Sequence, residues 1–165
     1  DIIVDAARKA EFQQALETAG AQTIGDDTFE ILRVEAGIAR FGQDMDETNV
    51  VPETNLDDAV SFTKGCYTGQ EIIVRIKHRG HVAKKLTGLR FETGGEIEPG
   101  AAIKSTEDKE IGRVTSAVFS PKLQTTIALG YVRYDHLAPG TPLVVNGIPA
   151  TTHELPFIRG SWYGD

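Results

Sequence analysis

The sequence predicts an α+β protein, in which part of an α/β domain is followed by a small antiparallel β-barrel. Helix signals occur only before residue 80, whereas short strands closed by Gly or Pro follow residue 85, as is typical of a small barrel or sandwich. A chain of 165 residues can bury roughly 70% of its unfolded surface without a disulfide or a metal ion. We expect the domain boundary near residue 84, with residues 1–84 in the partial α/β domain and residues 85–165 in the barrel.

The chain begins with a predicted strand and two predicted helices. The apolar run at residues 2–4 predicts a short buried strand. Asp5 can cap a helix whose apolar residues recur at helical spacing, and Gly20 is a stop signal for that helix. A capping box at residues 27–30 predicts a second helix over residues 28–36, closed by the glycine that follows.

The middle of the chain is predicted to be mostly loop, followed by one helix. Residues 38–56 are rich in acids and contain Gly and Pro, so we expect at most a short strand there, and residues 59–62 predict a second brief strand. A second capping box, residues 68–71, precedes a β-branched run at residues 72–76. That run favours a strand, but the capping box and Gly80 favour a helix, which is our prediction.

Short strands are predicted throughout the second part of the chain. Turn signals separate them, and Asn146-Gly147 suits the type I′ turn of a hairpin. One of these strands is predicted to be broken by Gly130. The predicted strands cover residues 86–91, 101–105, 112–119, 125–134, 143–145 and 148–152.

Composition excludes several classes of protein. With 40% hydrophobic and 25% charged residues, the chain is not a coiled coil, not collagen-like and not disordered. No apolar run is long enough to span a bilayer, and no secretory signal is visible. Cys66 is the single cysteine, so it suits a reducing compartment, and we expect a cytoplasmic protein. Because residue 1 is Asp and one Met occurs, we expect a fragment or a processed product.

Charge is unevenly distributed along the chain. The net charge of -7 argues against a general polyanion binder. Residues 41–63, the acidic window, carry six acids and no base, whereas residues 72–91, the basic window, carry six bases and no acid. The basic window is either a solvated face that pairs with the acidic window or a site for an anion. Composition leaves both interpretations open.

The segment Lys64-Gly-Cys-Tyr-Thr-Gly-Gln-Glu71, the signature segment, carries the clearest chemical signal. If Thr68 caps a helix, Cys66 lies two residues before the cap, near unpaired backbone N–H groups. Thiols in such places, with cations such as Lys64 and Arg75 nearby, ionise more easily than free thiols. Cys66 is therefore a candidate reactive thiol, and a small buried hydrophobic residue is the alternative.

Other kinds of site are poorly supported. The four histidines lack H-E-x-x-H spacing, and one cysteine cannot by itself hold an iron–sulfur cluster, so we expect no metal site. The chain lacks G-x-G-x-x-G, a Walker loop and G-x-S-x-G. Dinucleotide-binding, P-loop and serine-hydrolase functions therefore have no motif to support them.

The signature segment resembles the K-G-C-Y-x-G-Q-E signature of the YgfZ family of folate-binding proteins. That family is related to the aminomethyltransferase, or T-protein, of the glycine cleavage system. Residues 32–44 and 111–132 are similar to the wider superfamily. Aminomethyltransferases usually lack the cysteine at this position, so Cys66 favours the YgfZ family.

The resemblance implies a folate-binding body that ends in a β-barrel, with tetrahydrofolate as the cofactor. The folate-contacting Glu of the T-protein falls on Glu35, whose carboxylate can accept paired hydrogen bonds from a pterin. The family's N-terminal half, where the T-protein's catalytic Asp lies, has no counterpart in this sequence. The resemblance implies Cys66 as the catalytic residue and five cofactor-binding residues: Glu35, Lys64, Tyr67, Gln70 and Arg75.

The function implied is that of an accessory protein that binds tetrahydrofolate and supports assembly or repair of iron–sulfur enzymes, and through one of them tRNA modification. Its partners would be folate and iron–sulfur enzymes or their assembly machinery, with no membrane. The basic window would attract folate glutamate tails. Binding of tRNA is the weaker interpretation of this window, because the chain is acidic overall. The alternatives are a folate-dependent aminomethyltransferase or demethylase of the T-protein type and a plain interaction barrel. We favour the accessory role over an enzyme.

Overall fold

Three helices precede a six-stranded barrel in the computed structural model, which describes residues 2–56, 59–61 and 63–160. The helices are α1 (Lys9–Thr18), α2 (Asp26–Glu35) and α3 (Gln70–Arg79). Short 3₁₀ turns occur at Ala6–Arg8, Val51–Glu53 and Tyr134–His136. The predicted α+β class is confirmed.

The strands form a closed antiparallel barrel. Its spatial order is β1-β4-β3-β2-β5-β6, and β6 pairs back with β1. Closure gives every strand two partners, so backbone groups along the sheet are paired within the barrel. The strands are β1 (Lys84–Phe91), β2 (Ala102–Ser105), β3 (Glu110–Ser120), β4 (Thr125–Arg133), β5 (Pro142–Val145) and β6 (Ile148–His153).

Two hydrophobic clusters hold the structure together. The first fills the barrel and includes Leu89, Ile103 and Val132, all fully buried. The second lies outside the barrel wall, where Val34 of α2 packs against Leu86, Ile127, Leu129 and Tyr131. Successive β4 residues point to opposite faces of the sheet, so the strand contributes to both clusters and is buried almost throughout. The outer cluster fixes α2 on the barrel.

Glycines allow close contact and sharp turns at particular points in the barrel. The predicted break at Gly130 is wrong, because β4 runs through that position to Arg133. A Cβ at Gly130 would meet the Arg113 carbonyl at 2.8 Å, so glycine lets β3 and β4 approach closely there. The predicted Asn146-Gly147 turn is confirmed, with φ of 51° and 79° as a type I′ turn requires.

The predicted strand at residues 2–4 is wrong. Ile2 and Ile3 are 69% and 97% exposed, and the segment has no strand conformation. Asp5 does cap the next element: its carboxylate accepts a hydrogen bond from the Ala7 N–H at 2.8 Å. That cap begins a 3₁₀ turn that leads into α1, and Gly20 follows α1 with φ of 94°. The apolar run lacks a partner strand among the described residues.

Both predicted capping boxes are wrong, although both helices exist. α2 begins two residues earlier than predicted, with Gly25 at its N-cap, and the two acids of its first turn favour that end of the helix. α3 has Gly69 at its N-cap, with φ of 85°. The predicted C-terminal glycines are confirmed at both helices. Residues 59–61 form no strand, and Phe62 lies outside the described residues.

Candidate functional site

The end of α2 carries a buried ionic network. Arg33 lies under the helix where α2 packs against β3, and its side chain is only 4% exposed. Its guanidinium donates to the carboxylate of Asp44 at 2.6 Å and to Ser116 Oγ at 2.7 Å. It also donates two hydrogen bonds to Glu30, at 2.5 and 2.9 Å, and one to the Ile38 carbonyl. The network ties α2 to the barrel and to the loop that follows α2.

Asp44 is the centre of this network. Its side chain is fully buried, so every hydrogen bond to the carboxylate matters to the free energy of folding. Besides Arg33, it accepts from the hydroxyls of Thr115 and Ser116 at 2.5 and 2.6 Å, and from the backbone N–H of Arg40 at 3.0 Å. A buried carboxylate with four donors is a positioning group that holds the loop 40–45 against β3.

The charges in the network stabilise one another. Burial opposes the charge on Arg33, but hydrogen bonding to Glu30 and the charge of Asp44 outweigh it, so the pKa of Arg33 is raised. The hydrogen bond from Arg33 lowers the pKa of Glu30, against the opposing effect of partial burial. Both groups therefore stay charged at neutral pH.

Glu35, the predicted pterin ligand, lies one turn beyond Glu30 and is 7% exposed. Ser120 Oγ donates to its carboxylate at 2.5 Å, and no other hydrogen bond to that carboxylate is present among the described residues. Its backbone carbonyl accepts from the N–H groups of Phe157 and Ile158 at 2.9 and 3.2 Å. Glu35 is therefore fixed by the barrel and by the segment after it, and its role toward folate stays a prediction.

The signature segment brings three of the predicted residues together. The Lys64 ammonium lies 4.7 Å from the centroid of the Tyr67 ring, and the Tyr67 N–H donates to Gln70 Oε1 at 3.2 Å. Cys66 is a free, exposed thiol three residues before the α3 N-cap, so the buried alternative is wrong. Arg75 is exposed further along α3. Among the described residues, no hydrogen bond or ion pair joins Glu35 to this segment.

Sequence reasoning missed Arg33 and Asp44. Both lie within residues 32–44, which are similar to the superfamily, but the resemblance implies a role for Glu35 alone. The available signal was an Arg three residues after Glu30, which places both on one helix face. Nothing in the sequence places Asp44 or Ser116 against that face.

Among the described residues, no group of three His, Cys, Asp or Glu side chains could hold a metal ion. No helix in the described part of the chain is long and apolar enough to cross a membrane.

Comparison with protein-family models identifies the barrel. Residues 84–158 match the model for the glycine cleavage T-protein C-terminal barrel domain. The match covers all six strands and also Phe157 and Ile158, whose backbone N–H groups donate to the Glu35 carbonyl.

Comparison with known proteins finds aminomethyltransferases. The chain is 33% identical over 159 residues to the aminomethyltransferase of Halothermothrix orenii, which covers 92% of this chain and 44% of that protein. It is 32% identical over 143 residues to the mitochondrial aminomethyltransferase of Homo sapiens, covering 80% of this chain and 34% of that protein. The crystal structure of glycine cleavage system aminomethyltransferase T from Bartonella henselae has a TM-score of 0.81 at 26% identity, covering 92% and 44% of the two chains. The chain thus spans less than half the length of these relatives.

Proposed function

The barrel match and the aminomethyltransferase relatives support a glycine cleavage T-protein-like family for this chain, and on that basis we propose that it takes part in tetrahydrofolate-dependent aminomethyl transfer. The observation that carries the proposal is the similarity to aminomethyltransferases over 92% of the chain, which includes the helices as well as the barrel. The reaction is release of ammonia from an aminomethyl donor in the presence of tetrahydrofolate. We keep the division at residue 84, with a partial folate-binding domain before it and the barrel after it.

Glu35 is the proposed contact for the pterin ring. Its carboxylate accepts from Ser120 through Oε1, and the other oxygen is free of hydrogen bonds from the described residues. A carboxylate oxygen in this state can accept from the N–H groups of an aminopyrimidine. Hydrogen bonds to a charged group contribute about 1.5–3 kcal/mol, so Glu35 would supply a substantial part of the affinity.

The signature segment is the proposed contact for the rest of the folate. Lys64, held over the Tyr67 ring, offers a cation and an aromatic face at one place. Arg75 is exposed on α3 and adds a second cation, while Gln70 holds the backbone of the loop through the Tyr67 N–H. Carboxylates of a glutamate tail suit such cations.

The experiment measures binding and turnover separately. Tetrahydrofolate binding is followed by calorimetry, and ammonia release is followed with an aminomethylated donor, using the protein as the cell makes it. Glu35→Gln is expected to weaken binding roughly 10- to 100-fold. Glu98→Gln, at an exposed carboxylate of the barrel region, serves as the matched control and should bind as wild type. Unaltered binding by Glu35→Gln, with an intact fold, would remove Glu35 from the site.

Exposure of Cys66 favours a second function. The fold makes no use of this thiol, which lies free on the surface within the signature segment. The accessory role in iron–sulfur enzyme assembly needs it, whereas aminomethyl transfer does not. Cys66→Ala is therefore expected to keep both folate binding and ammonia release. A variant that keeps folate binding but fails to restore an iron–sulfur enzyme in cells, with no ammonia release by the wild type, would favour the accessory role.

A further inference from the structure

A groove of about 620 Å³ lies between the loop 42–49 and the outer wall of the barrel, where β1, β3 and β4 run side by side. None of the predicted folate-binding residues and not Cys66 lines it. Its walls carry the apolar side chain of Met45 beside several charged side chains. The groove is therefore separate from the predicted folate-binding residues, and it shares Asp44 and Thr115 with the ionic network at α2.

Tyr131 presents an unused hydrogen-bonding group in this groove. The residue is 8% exposed, and its hydroxyl is buried without a hydrogen-bond partner among the described residues. Burial raises the pKa of Tyr131 to about 12, and the carboxylates of Glu53, Asp44 and Asp46 add to that effect. Two of these carboxylates, Asp44 and Asp46, line the groove, so the hydroxyl lies on its loop side. It is a neutral donor at ordinary pH, and buried polar groups are normally paired.

Three cations lie next to Tyr131 on the same face of the sheet. Arg113 is directly opposite Tyr131 across the β3–β4 ladder, and Lys84 is directly opposite Arg133 across the β1–β4 ladder. Directly opposite residues have Cβ atoms about 4.5–5.5 Å apart, so the four side chains are neighbours. The Lys84 ammonium lies 5.0 Å from the Tyr131 ring centroid. None of the three cations forms an ion pair with a carboxylate among the described residues.

The acids of the groove are mostly engaged by other groups. Asp44 is bound by Arg33, Thr115 and Ser116. Asp46 accepts from both the N–H and the hydroxyl of Thr48. Glu110 lies at the first residue of β3. The barrel wall is therefore cationic, and the acids lie on the loop wall and at one end.

We propose that this groove binds a small organic carboxylate, held by Arg113, Arg133 and Lys84, with one acceptor atom on the Tyr131 hydroxyl. Guanidinium groups match the planar geometry of a carboxylate with two parallel hydrogen bonds. The carbon skeleton of the ligand lies against Met45. The inference does not depend on the proposed function, because it uses different residues.

Calorimetry with glutarate as the probe tests the proposal on the full chain at low salt. Glutarate is expected to bind with a Kd of about 1 mM or below, and inorganic phosphate at least roughly threefold more weakly. Arg113→Gln and Arg133→Gln should each weaken glutarate binding roughly fivefold or more. Arg90→Gln, an exposed cation on β1 outside the groove, is the matched control and should leave Kd unchanged.

Tyr131→Phe separates ligand binding from a structural role. The change removes a buried hydroxyl that has no partner, so the melting temperature should stay equal or rise. Glutarate binding should nevertheless weaken roughly 3- to 10-fold, because the ligand loses a donor. Absence of glutarate binding would overturn the assignment, as would phosphate binding as tight as glutarate. Wild-type affinity for glutarate in Arg113→Gln, in Arg133→Gln or in Tyr131→Phe would also overturn it.

Discussion

Arg33 and Asp44 show how one ion pair can organise the contact between a helix, a loop and a barrel. Both side chains are almost completely buried, so each would be costly without the other. Their remaining hydrogen-bonding groups are taken up by Glu30, Thr115 and Ser116. A buried pair with its hydrogen bonds satisfied fixes the position of the loop, because moving the loop away would leave the Asp44 carboxylate buried without these donors.

Asp44→Asn tests this view of the pair. The substitution keeps the size of the side chain but removes the fully buried counter-charge of Arg33, which then keeps only the partly exposed carboxylate of Glu30. We expect a loss of about 3–5 kcal/mol in the free energy of unfolding, measured by urea denaturation. Asp46→Asn, two residues away on an exposed side chain, is the control and should change stability by no more than about 0.5 kcal/mol. Equal effects of the two variants would show that the buried pair is dispensable.

Because the pKa of Tyr131 is raised, we expect the folded chain to lose stability at alkaline pH. Its pKa is about 12 in the folded chain, above the ordinary value of 10.0, because burial and the nearby carboxylates of Glu53, Asp44 and Asp46 disfavour the phenolate. Because the folded pKa is raised, the stabilisation is complete below pH 10 and is lost as the pH rises toward 12.

The measurement is urea unfolding between pH 8 and pH 11. Tyr131→Phe cannot ionise, so its stability should fall less steeply than that of the wild type over this range. Tyr134→Phe, at a residue that is 45% exposed, is the control and should follow the wild-type profile. A Tyr131→Phe profile parallel to that of the wild type would contradict the assignment.

At the level of secondary structure, local patterns predicted the strands well and the helix starts poorly. The six strands are predicted by short runs closed by Gly, Pro and other turn residues, which are local signals. The capping boxes failed because Gly25 and Gly69 took the N-cap positions without any side-chain hydrogen bond. The strand at residues 2–4 failed because a strand needs a partner, and local sequence does not reveal whether one exists.

The candidate site was harder to predict than the fold because its contacts join distant parts of the chain. Ser120 lies 85 residues after Glu35, and Ser116 lies 83 residues after Arg33. A family resemblance singled out Glu35, but only the packing of α2 on β3 shows that a barrel serine holds its carboxylate. Exposure of Cys66 was likewise a tertiary property that the motif left open.

The close approach of β3 and β4 at Gly112 leaves no room for a side chain at that position. A Cβ at this position would overlap the backbone carbonyl of Tyr131, which cannot rotate away as a flexible side chain can. Gly112→Ala is therefore expected to destabilise the barrel by about 1–3 kcal/mol or more, measured by urea denaturation. Gly94→Ala is the control, since a Cβ there meets no atom within 4 Å, and it should change stability by about 0.5 kcal/mol or less. Equal stability of both variants would show that the ladder can shift to admit a methyl group.

On the scale of the whole molecule, burial is concentrated in the barrel and in the part of α2 that touches it. Arg33 is the first buried residue among those described, whereas α1 buries none. Large apolar side chains such as Phe29, Leu32 and Phe41 remain half exposed or more in the segment before the barrel. Stability is therefore expected to differ strongly along the chain.

Hydrogen exchange measured by mass spectrometry tests this difference. Amides of β3 and β4, which pair with each other over the length of β4, are expected to exchange at least roughly 100-fold more slowly than those of α1. The reason is that α1 can open without exposing buried apolar surface. Uniform protection of α1 and the barrel would show that the chain opens as one cooperative unit.

The acidic and basic windows of the sequence meet in part. Asp46 and Lys84 line the same groove, and the Lys84 charge contributes to lowering the pKa of Asp46, after the hydrogen bonds from Thr48. The two interpretations of the basic window are therefore compatible, because Lys84 can face both a loop carboxylate and a bound anion.

The two backbone bonds at Glu35 also constrain when α2 can reach its final position during synthesis. The donors are the amides of Phe157 and Ile158, which the ribosome adds more than 120 residues after Glu35 itself. These bonds cannot form while translation is still under way in the barrel. Glu35, whose carboxylate is proposed to bind a pterin, therefore acquires these two backbone bonds only after the ribosome has added the whole barrel.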